Sequence, residues 1–232
     1  MPQPRSNRML QATVTTMLLA CVCGCADSKF SPWRKKDSEL ELAKYGPTAN
    51  QRIEELQKLA KSAEDYLPAQ QEQMAQDLAQ RFQGETNPLV RAQLVRTLQQ
   101  FQTESSRGAV MAAMSDSSRL VRVASCQTWG VWGGAEAVQV LGNTVANDLD
   151  LDVRLAAIRA LGNIPDSAAI AAIGPALEDP DPAMQFLAVE SLQEVTRADL
   201  GTDVNAWRQY VQSRSPGGQP AASIAERPRG FF

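Results

Sequence analysis

The feature that most constrains the fold is a pattern that recurs every 31 or 32 residues along the chain. Four segments align without gaps: NPLVRAQLVRTLQQF, SRLVRVASCQTWGVW, DLDVRLAAIRALGNI and DPAMQFLAVESLQEV. Positions in each segment are counted from one anchor residue. The anchors of the four segments are Arg91, Arg122, Arg154 and Gln185. Apolar residues recur one position before the anchor and four, seven and ten positions after it. These positions share one face of an α-helix, so each segment predicts an amphipathic helix.

A second apolar pattern precedes each segment, at nine and thirteen positions before the anchor. Its residues are Phe82, Ala113, Val145 and Ala176 at the nearer position and Leu78, Ala109, Leu141 and Ala172 at the farther one. Each unit therefore contains two amphipathic helices, and neither can bury its apolar face alone. Stacking of the units buries these faces. The repeats predict an all-α fold, an α-solenoid of about four helix pairs over residues 67–197.

These helix pairs resemble the HEAT repeat family, in the short form found in phycobilisome-lyase-type HEAT proteins. The segment DVRLAAIRALGNI carries the resemblance best. The family's arginine is replaced by Gln185 in the last unit, and Trp129 stands where the family usually has leucine. The fourth unit is therefore expected to be degenerate and to act as a cap. The resemblance implies that the solenoid is right-handed.

Six positions before each anchor the chain always has an acidic residue: Glu85, Asp116, Asp148 and Asp179. In HEAT repeats the corresponding acids and arginines form a ladder of hydrogen-bonded ion pairs along the inter-helix turns. The resemblance implies such a structural ladder here, made of the four acids and the anchors Arg91, Arg122 and Arg154. A calcium loop that starts at Asp148 would need Gly at 153 and Glu at 159, where the chain has Val153 and Arg159. We therefore expect no metal site.

The N-terminus has the composition of an export signal. Arg5 and Arg8 precede the apolar stretch ATVTTMLLACVCG, which is too short to span a bilayer. The residues that follow resemble the lipobox of bacterial lipoproteins, in which an aliphatic and a small residue lead to the modified cysteine. Two registers fit, ending at Cys21 and at Cys25, and Gly24 with the polar ADS after it favours Cys25.

The lipobox resemblance implies a signal peptide over residues 1–24 and a lipid-anchored tether over residues 25–47. It places the protein at the bacterial cell envelope, attached to a membrane on the periplasmic or outer-surface side. An ordinary signal peptide and a short uncleaved anchor are the alternatives.

Helices are expected on both sides of the repeats. An apolar stripe predicts an N-terminal helix over residues 48–66. Trp207 and its apolar neighbours predict a helix over residues 198–213 that caps the exposed end of the last unit. The segment 214–232 is rich in Pro, Gly and Ser, which predicts a disordered tail.

The candidate binding residues lie on the second helix of each unit, on the face opposite its apolar stripe. In HEAT solenoids this face lines the concave surface, and a solvated helix face is the alternative interpretation. The candidates for a protein-binding site are Arg96, Gln127, Arg159, Asn163, Glu190 and Glu194. Two arginines toward one end and two glutamates toward the other predict a polarised surface. Cys126, Trp129 and Trp132 occupy apolar positions of the pattern and are expected in the core.

Composition excludes several classes of function. The chain has no histidine, the commonest general base and metal ligand, and its net charge of −3 does not suit nucleic acid. We therefore expect a non-enzymatic HEAT-repeat scaffold or adaptor that binds a protein partner at the cell envelope, without a cofactor. The alternative is a subunit of a bilin-lyase-like or other enzyme that uses the HEAT array to bind a substrate protein.

Overall fold

A computed structural model of the protein describes Lys44 and residues 46–214. The chain divides into two units, Met1–Thr48 and Ala49–Phe232. The predicted signal peptide, the candidate lipidation sites Cys21 and Cys25, nearly all of the tether and residues 215–232 of the tail lie outside the described residues. No helix in the described part of the chain is long and apolar enough to cross a membrane.

The second unit is built from helices in every part that the structure describes. Over residues 49–214 its ten α-helices are α1 (Ala49–Lys61), α2 (Pro68–Gly84), α3 (Pro88–Leu98), α4 (Glu104–Ala113), α5 (Arg119–Trp132), α6 (Gly134–Asn147), α7 (Leu151–Gly162), α8 (Ser167–Ile173), α9 (Pro182–Thr196) and α10 (Val204–Arg214). Two short 3-10 helices, Ala63–Asp65 and Gly174–Glu178, follow α1 and α8. The predicted all-α fold is confirmed.

The helices form two layers. The first helices of the four units are α2, α4, α6 and α8, and the second helices are α3, α5, α7 and α9. Each second helix packs against the second helix of the next unit and against the first helix of its own unit. Helix α1 packs on α3 in the same way, and α10 packs on α9 and on the 3-10 helix after α8. The result is the predicted α-solenoid of four pairs, with an N-terminal helix and a C-terminal capping helix.

Three of the apolar positions of the repeat are buried in all four units, whereas five residues at the other predicted positions are only partly buried: Phe82, Ala109, Trp132, Ala172 and Val195. At the positions one before, four after and seven after the anchor, every residue is exposed by 3% or less. These residues are Val90, Val121, Val153, Met184, Val95, Cys126, Ile158, Val189, Leu98, Trp129, Leu161 and Leu192. Because one register buries the same positions in all four units, stacking of the units and not any single helix provides the core.

Two glycines set the distance between adjacent second helices. A Cβ atom on Gly130 of α5 would lie 2.8 Å from the Cβ of Ala160 on α7. A Cβ atom on Gly162 of α7 would lie 2.9 Å from the Cβ of Ser191 on α9. Both glycines stand eight positions after their anchors, so the same close approach is repeated from one unit to the next.

The capping helix is fixed by one aromatic residue and one arginine. Trp207 is fully buried, and its Nε1 donates to the carbonyl oxygen of Gly201 at 2.9 Å. Arg208 donates through Nη2 to the carbonyl oxygen of Leu177 at 2.6 Å. The helix extends over Val204–Arg214, so it begins six residues later and ends one residue later than the sequence predicts.

Candidate protein-binding surface

Arginines at the anchor positions join each inter-helix turn to the next unit. Arg91 donates through Nε and Nη2 to the two carboxylate oxygens of Asp116, both at 2.8 Å. Arg122 makes the same paired contact with Asp148, at 2.8 and 3.1 Å. Through Nη1 each arginine also donates to a carbonyl oxygen of its own turn, that of Thr86 or Asp116, at 2.9 Å. Such bidentate, charge-assisted bonds have a narrow geometry and therefore fix the stacking register.

The ladder is looser at its C-terminal end. Arg154 Nη2 lies 3.9 Å from Asp179 Oδ2, beyond hydrogen-bond distance. The anchor Gln185 keeps only the contact within its own turn, where its Nε2 donates to the carbonyl oxygen of Asp179 at 2.8 Å. A glutamine suffices here, because the capping helix and not a further unit follows.

At the N-terminal end the ladder continues beyond the four units. Arg52 of α1 forms an ion pair and a hydrogen bond with Glu85, through Nη1 and Oε2. Helix α1 therefore takes the place of a second helix from an incomplete unit. The repeat pattern did not identify Arg52, although Leu56 and Leu59 stand four and seven positions after it, as in the other units.

The carboxylates in the middle of the ladder are held in their charged form. Burial alone would raise the pKa of Asp116, but hydrogen bonds from Arg91 and from the Ser118 N–H bring its pKa below the ordinary value. The pKa of Asp148 is lowered in the same way, against the effect of burial, by Arg122 and by the Asp150 N–H. Both pairs are therefore ionised at neutral pH.

The three alternating aspartates at the N-terminal end of α7 have three separate partners. Asp148 belongs to the ladder, and Asp150 caps α7 by accepting a hydrogen bond from the Asp152 N–H at 3.0 Å. The Asp152 side chain pairs with Arg119 of α5 at 2.7 Å. In the described part of the chain no group of three or more histidine, cysteine or acidic side chains could hold a metal ion.

All six candidate binding residues are exposed on the layer of second helices, called here the second-helix surface. Gln127, Arg159 and Asn163 line a groove of about 470 Å³ between α5 and α7. Arg159 and Asn163 also line a groove of about 300 Å³ between α7 and α9, together with Glu190 and Glu194. Arg96 lines a third groove, of about 500 Å³, between α1 and α3. The structure thus brings five of the six residues together and leaves Arg96 apart.

The charge distribution on this surface differs from the predicted one. Arg159 is not grouped with Arg96 at an N-terminal end but shares a groove with Glu190 and Glu194. Stacking explains the difference, because the second helices lie side by side and α7 is the direct neighbour of α9. Glu194 is also paired with Arg197 at 3.1 Å. Arg96 shares its groove with Lys61 of α1 and with the carboxylate of Glu64, so this end of the surface carries two positive charges and one negative charge.

The remaining candidates of the sequence lie in the core. Cys126 is fully buried, and burial raises the pKa of its thiol to about 12, so that it stays protonated at neutral pH. Trp129 is fully buried and packs edge-on against Trp132, with 5.4 Å between the ring centroids. Trp132 is half-buried and donates through Nε1 to the carbonyl oxygen of Gln99 at 3.0 Å.

Comparison with protein families agrees with this architecture. The family model for HEAT repeats matches residues 75–148 and 140–204. A search of curated proteins found no match. Among solved structures, human deoxyhypusine hydroxylase in complex with glycerol is similar, with 22% sequence identity and a TM-score of 0.48. The match covers 53% of this chain and 44% of the hydroxylase chain.

Proposed function

The chain belongs to the HEAT repeat family, and from this premise we propose that it is a non-enzymatic scaffold that binds another protein through its second-helix surface. The observation that carries the proposal is the contrast between the two sets of charged residues. Ladder residues such as Arg91 and Arg122 are occupied by contacts that hold the units together. Arg96 and Arg159 are exposed and have no ion-pair partner among the described residues.

A scaffold needs a surface that keeps its shape when a partner binds. The ladder and the close approach at Gly130 and Gly162 fix the spacing of the second helices. Preorganisation of this kind reduces the ordering cost of association. A larger part of the interaction energy of the exposed side chains then remains as affinity.

The proposal assigns no reaction to the chain. A nucleophilic cysteine needs a lowered pKa and a base, but the pKa of Cys126 is raised to about 12 and the chain has no histidine. The chemistry available on the second-helix surface is that of amide, carboxylate, guanidinium and aliphatic groups. These groups can bind a partner protein through hydrogen bonds, ion pairs and apolar contacts.

We place this scaffold at the bacterial cell envelope, held by lipid on Cys25 or, in the other register, on Cys21. A single acyl chain binds membranes only marginally, whereas several chains on one residue hold firmly. Anchoring raises the local concentration of the scaffold near membrane partners. Changing both cysteines to alanine is expected to move the protein from the membrane to the soluble fraction. Continued membrane association after removal of the signal peptide would contradict lipid anchoring.

Charge reversal on the surface tests the binding function. The double variant Arg96→Glu with Arg159→Glu should no longer capture a specific partner from envelope extracts. The loss should be larger at low salt, because salt screens the interaction between exposed charges beyond about 10 Å. The matched control is Arg81→Glu with Lys58→Glu, which makes the same charge change at exposed residues that line none of the three grooves. Equal capture by both double variants would contradict the proposal.

A further inference from the structure

The groove between α5 and α7 carries a mainly apolar stripe that is left open by the other elements that the structure describes. On α5 the lining residues Leu120, Val123, Gln127 and Val131 are spaced by three, four and four residues, so they form one face of the helix. Leu120 is 43% exposed and Val131 is 62% exposed. Leu155 of α7 lines the opposite wall.

The other two grooves of the second-helix surface are polar. Between α1 and α3 the lining consists of Arg96, Lys61, Glu64, three glutamines and one alanine. Between α7 and α9 the apolar member, Leu187, is only 6% exposed, and the exposed side chains are polar or charged. Among these three grooves only the one between α5 and α7 is lined by exposed aliphatic side chains, while Leu89 of α3 and Phe186 of α9 are exposed outside the grooves.

One positive charge in this groove lacks a counterpart. Three charged side chains line it, and two of them, Arg119 and Asp152, pair with each other at 2.7 Å. Arg159 has no ion-pair partner in the part of the chain that the structure describes. A ligand that complements the groove therefore combines aliphatic side chains with a carboxylate.

We propose that this groove binds an amphipathic helix of the partner protein, with aliphatic residues against Leu120, Val131 and Leu155 and an acidic residue against Arg159. The inference rests on the proposed scaffold function and specifies the element that is bound. From Leu120 to Val131 the α5 wall extends over eleven residue steps, about 16 Å or three helical turns.

A helix fits this groove better than an extended segment. An extended chain must find partners for all its backbone N–H and C=O groups, and beside the aliphatic side chains the groove offers only a few polar ones, such as Gln127 and Asn163. A helix satisfies these groups internally and presents apolar side chains at every third or fourth residue, which matches the spacing on α5.

The test uses a phage-displayed library of single amphipathic helices with randomised surface positions, selected against the purified full-length chain. Recovered peptides should carry aliphatic residues at helical spacing together with Asp or Glu, and they should gain helicity on binding. Their affinity should fall about tenfold or more for Leu120→Gln with Val131→Gln. It should fall by a similar factor for Arg159→Glu at low salt, and less at high salt.

Matched controls change equally exposed residues outside the groove. Met111→Gln with Leu149→Gln alters two exposed apolar residues, and Arg81→Glu reverses one exposed charge. These variants should bind the selected peptides as the unchanged chain does. Basic or non-helical peptides, affinities that the groove variants leave unchanged, or no recovered peptides would each overturn the inference.

The outcome is separable from that of the scaffold proposal. If the Arg96→Glu, Arg159→Glu chain loses its envelope partner but the groove variants do not change the peptide affinity, the scaffold function stands and the helix inference fails. If groove-dependent helices are recovered but no envelope partner is captured, the groove binds helices and the scaffold function fails.

Discussion

Replacing Gly130 by alanine is expected to destabilise the solenoid, although alanine is the better helix former. The added Cβ would lie 2.8 Å from Ala160 Cβ, 3.0 Å from its Cα and 3.2 Å from its carbonyl oxygen. Ordinary contacts between carbon atoms are about 3.5–4.0 Å. Two of these three atoms are backbone, so α5 and α7 must move apart instead of one side chain rotating away.

The size of the effect follows from two opposing contributions. Overpacking of a tight contact costs about 1–3 kcal/mol, and a backbone clash belongs at the upper end of that range. The higher helix propensity of alanine stabilises the folded state by about 1 kcal/mol. The expected net loss in the free energy of unfolding is about 2 kcal/mol. For a domain of this size, that lowers Tm by roughly 4–8 °C.

Gly108→Ala is the matched control, measured by thermal unfolding followed by circular dichroism. Gly108 lies inside α4, and a Cβ there would meet nothing within 4 Å. This variant should gain up to about 1 kcal/mol and raise Tm by a few degrees, because only helix propensity changes. If Gly130→Ala raised Tm as much as Gly108→Ala does, the close approach of α5 and α7 would be wrong.

Three further predictions concern the core and the ladder. Leu161→Ala should cost about 2–5 kcal/mol in chemical denaturation, whereas Arg159→Ala on the exposed side of the same helix should be nearly neutral. Asp148→Asn should cost about 1–3 kcal/mol at pH 7, because Arg122 then loses its charged partner. Since the folded pKa of Asp148 lies below the unfolded value, this difference should shrink as pH falls below about 4, and a pH-independent difference would contradict the ionised pair. Alkylation of Cys126, followed by peptide mass mapping, should require denaturant, and rapid labelling of the native chain would refute its burial.

The core could be predicted from the sequence because a repeat supplies the same information four times. One helix with apolar residues at helical spacing indicates a buried face. Four copies in register also indicate that the helices of the neighbouring units cover this face. Val95, Cys126, Ile158 and Val189 share one position of the pattern and are all buried, although they are three different residue types.

The role of α1 could not be predicted because the spacing changes. Arg52 and Arg91 are 39 residues apart by the difference of their numbers, against 31 or 32 for the other anchors. The 3-10 helix Ala63–Asp65 and the seventeen-residue helix α2 occupy the added length. A search with a fixed period therefore misses the match.

The depth and polarity of each groove depend on the two helices that form it. The sequence pattern of one helix gives no information about the other helix of the pair. The polar-face positions identified Gln127 and Arg159 as exposed residues. Leu120 stands two positions before its anchor Arg122, and Leu155 stands one position after its anchor Arg154. Neither is among the positions that predicted binding residues. Their groove exists because α5 and α7 stack at a distance that Gly130 permits.

Site-specific photo-crosslinking in the cell tests most directly whether the second-helix surface binds a protein. A photoreactive amino acid at Gln127 lies in the groove between α5 and α7, and the same amino acid at Gln80 lies on the exposed side of α2 in the layer of first helices. We expect a discrete crosslinked partner from position 127, absent from position 80 and lost in the Arg96→Glu, Arg159→Glu chain. A partner that crosslinks from position 80 but not from position 127 would contradict binding through the second-helix surface.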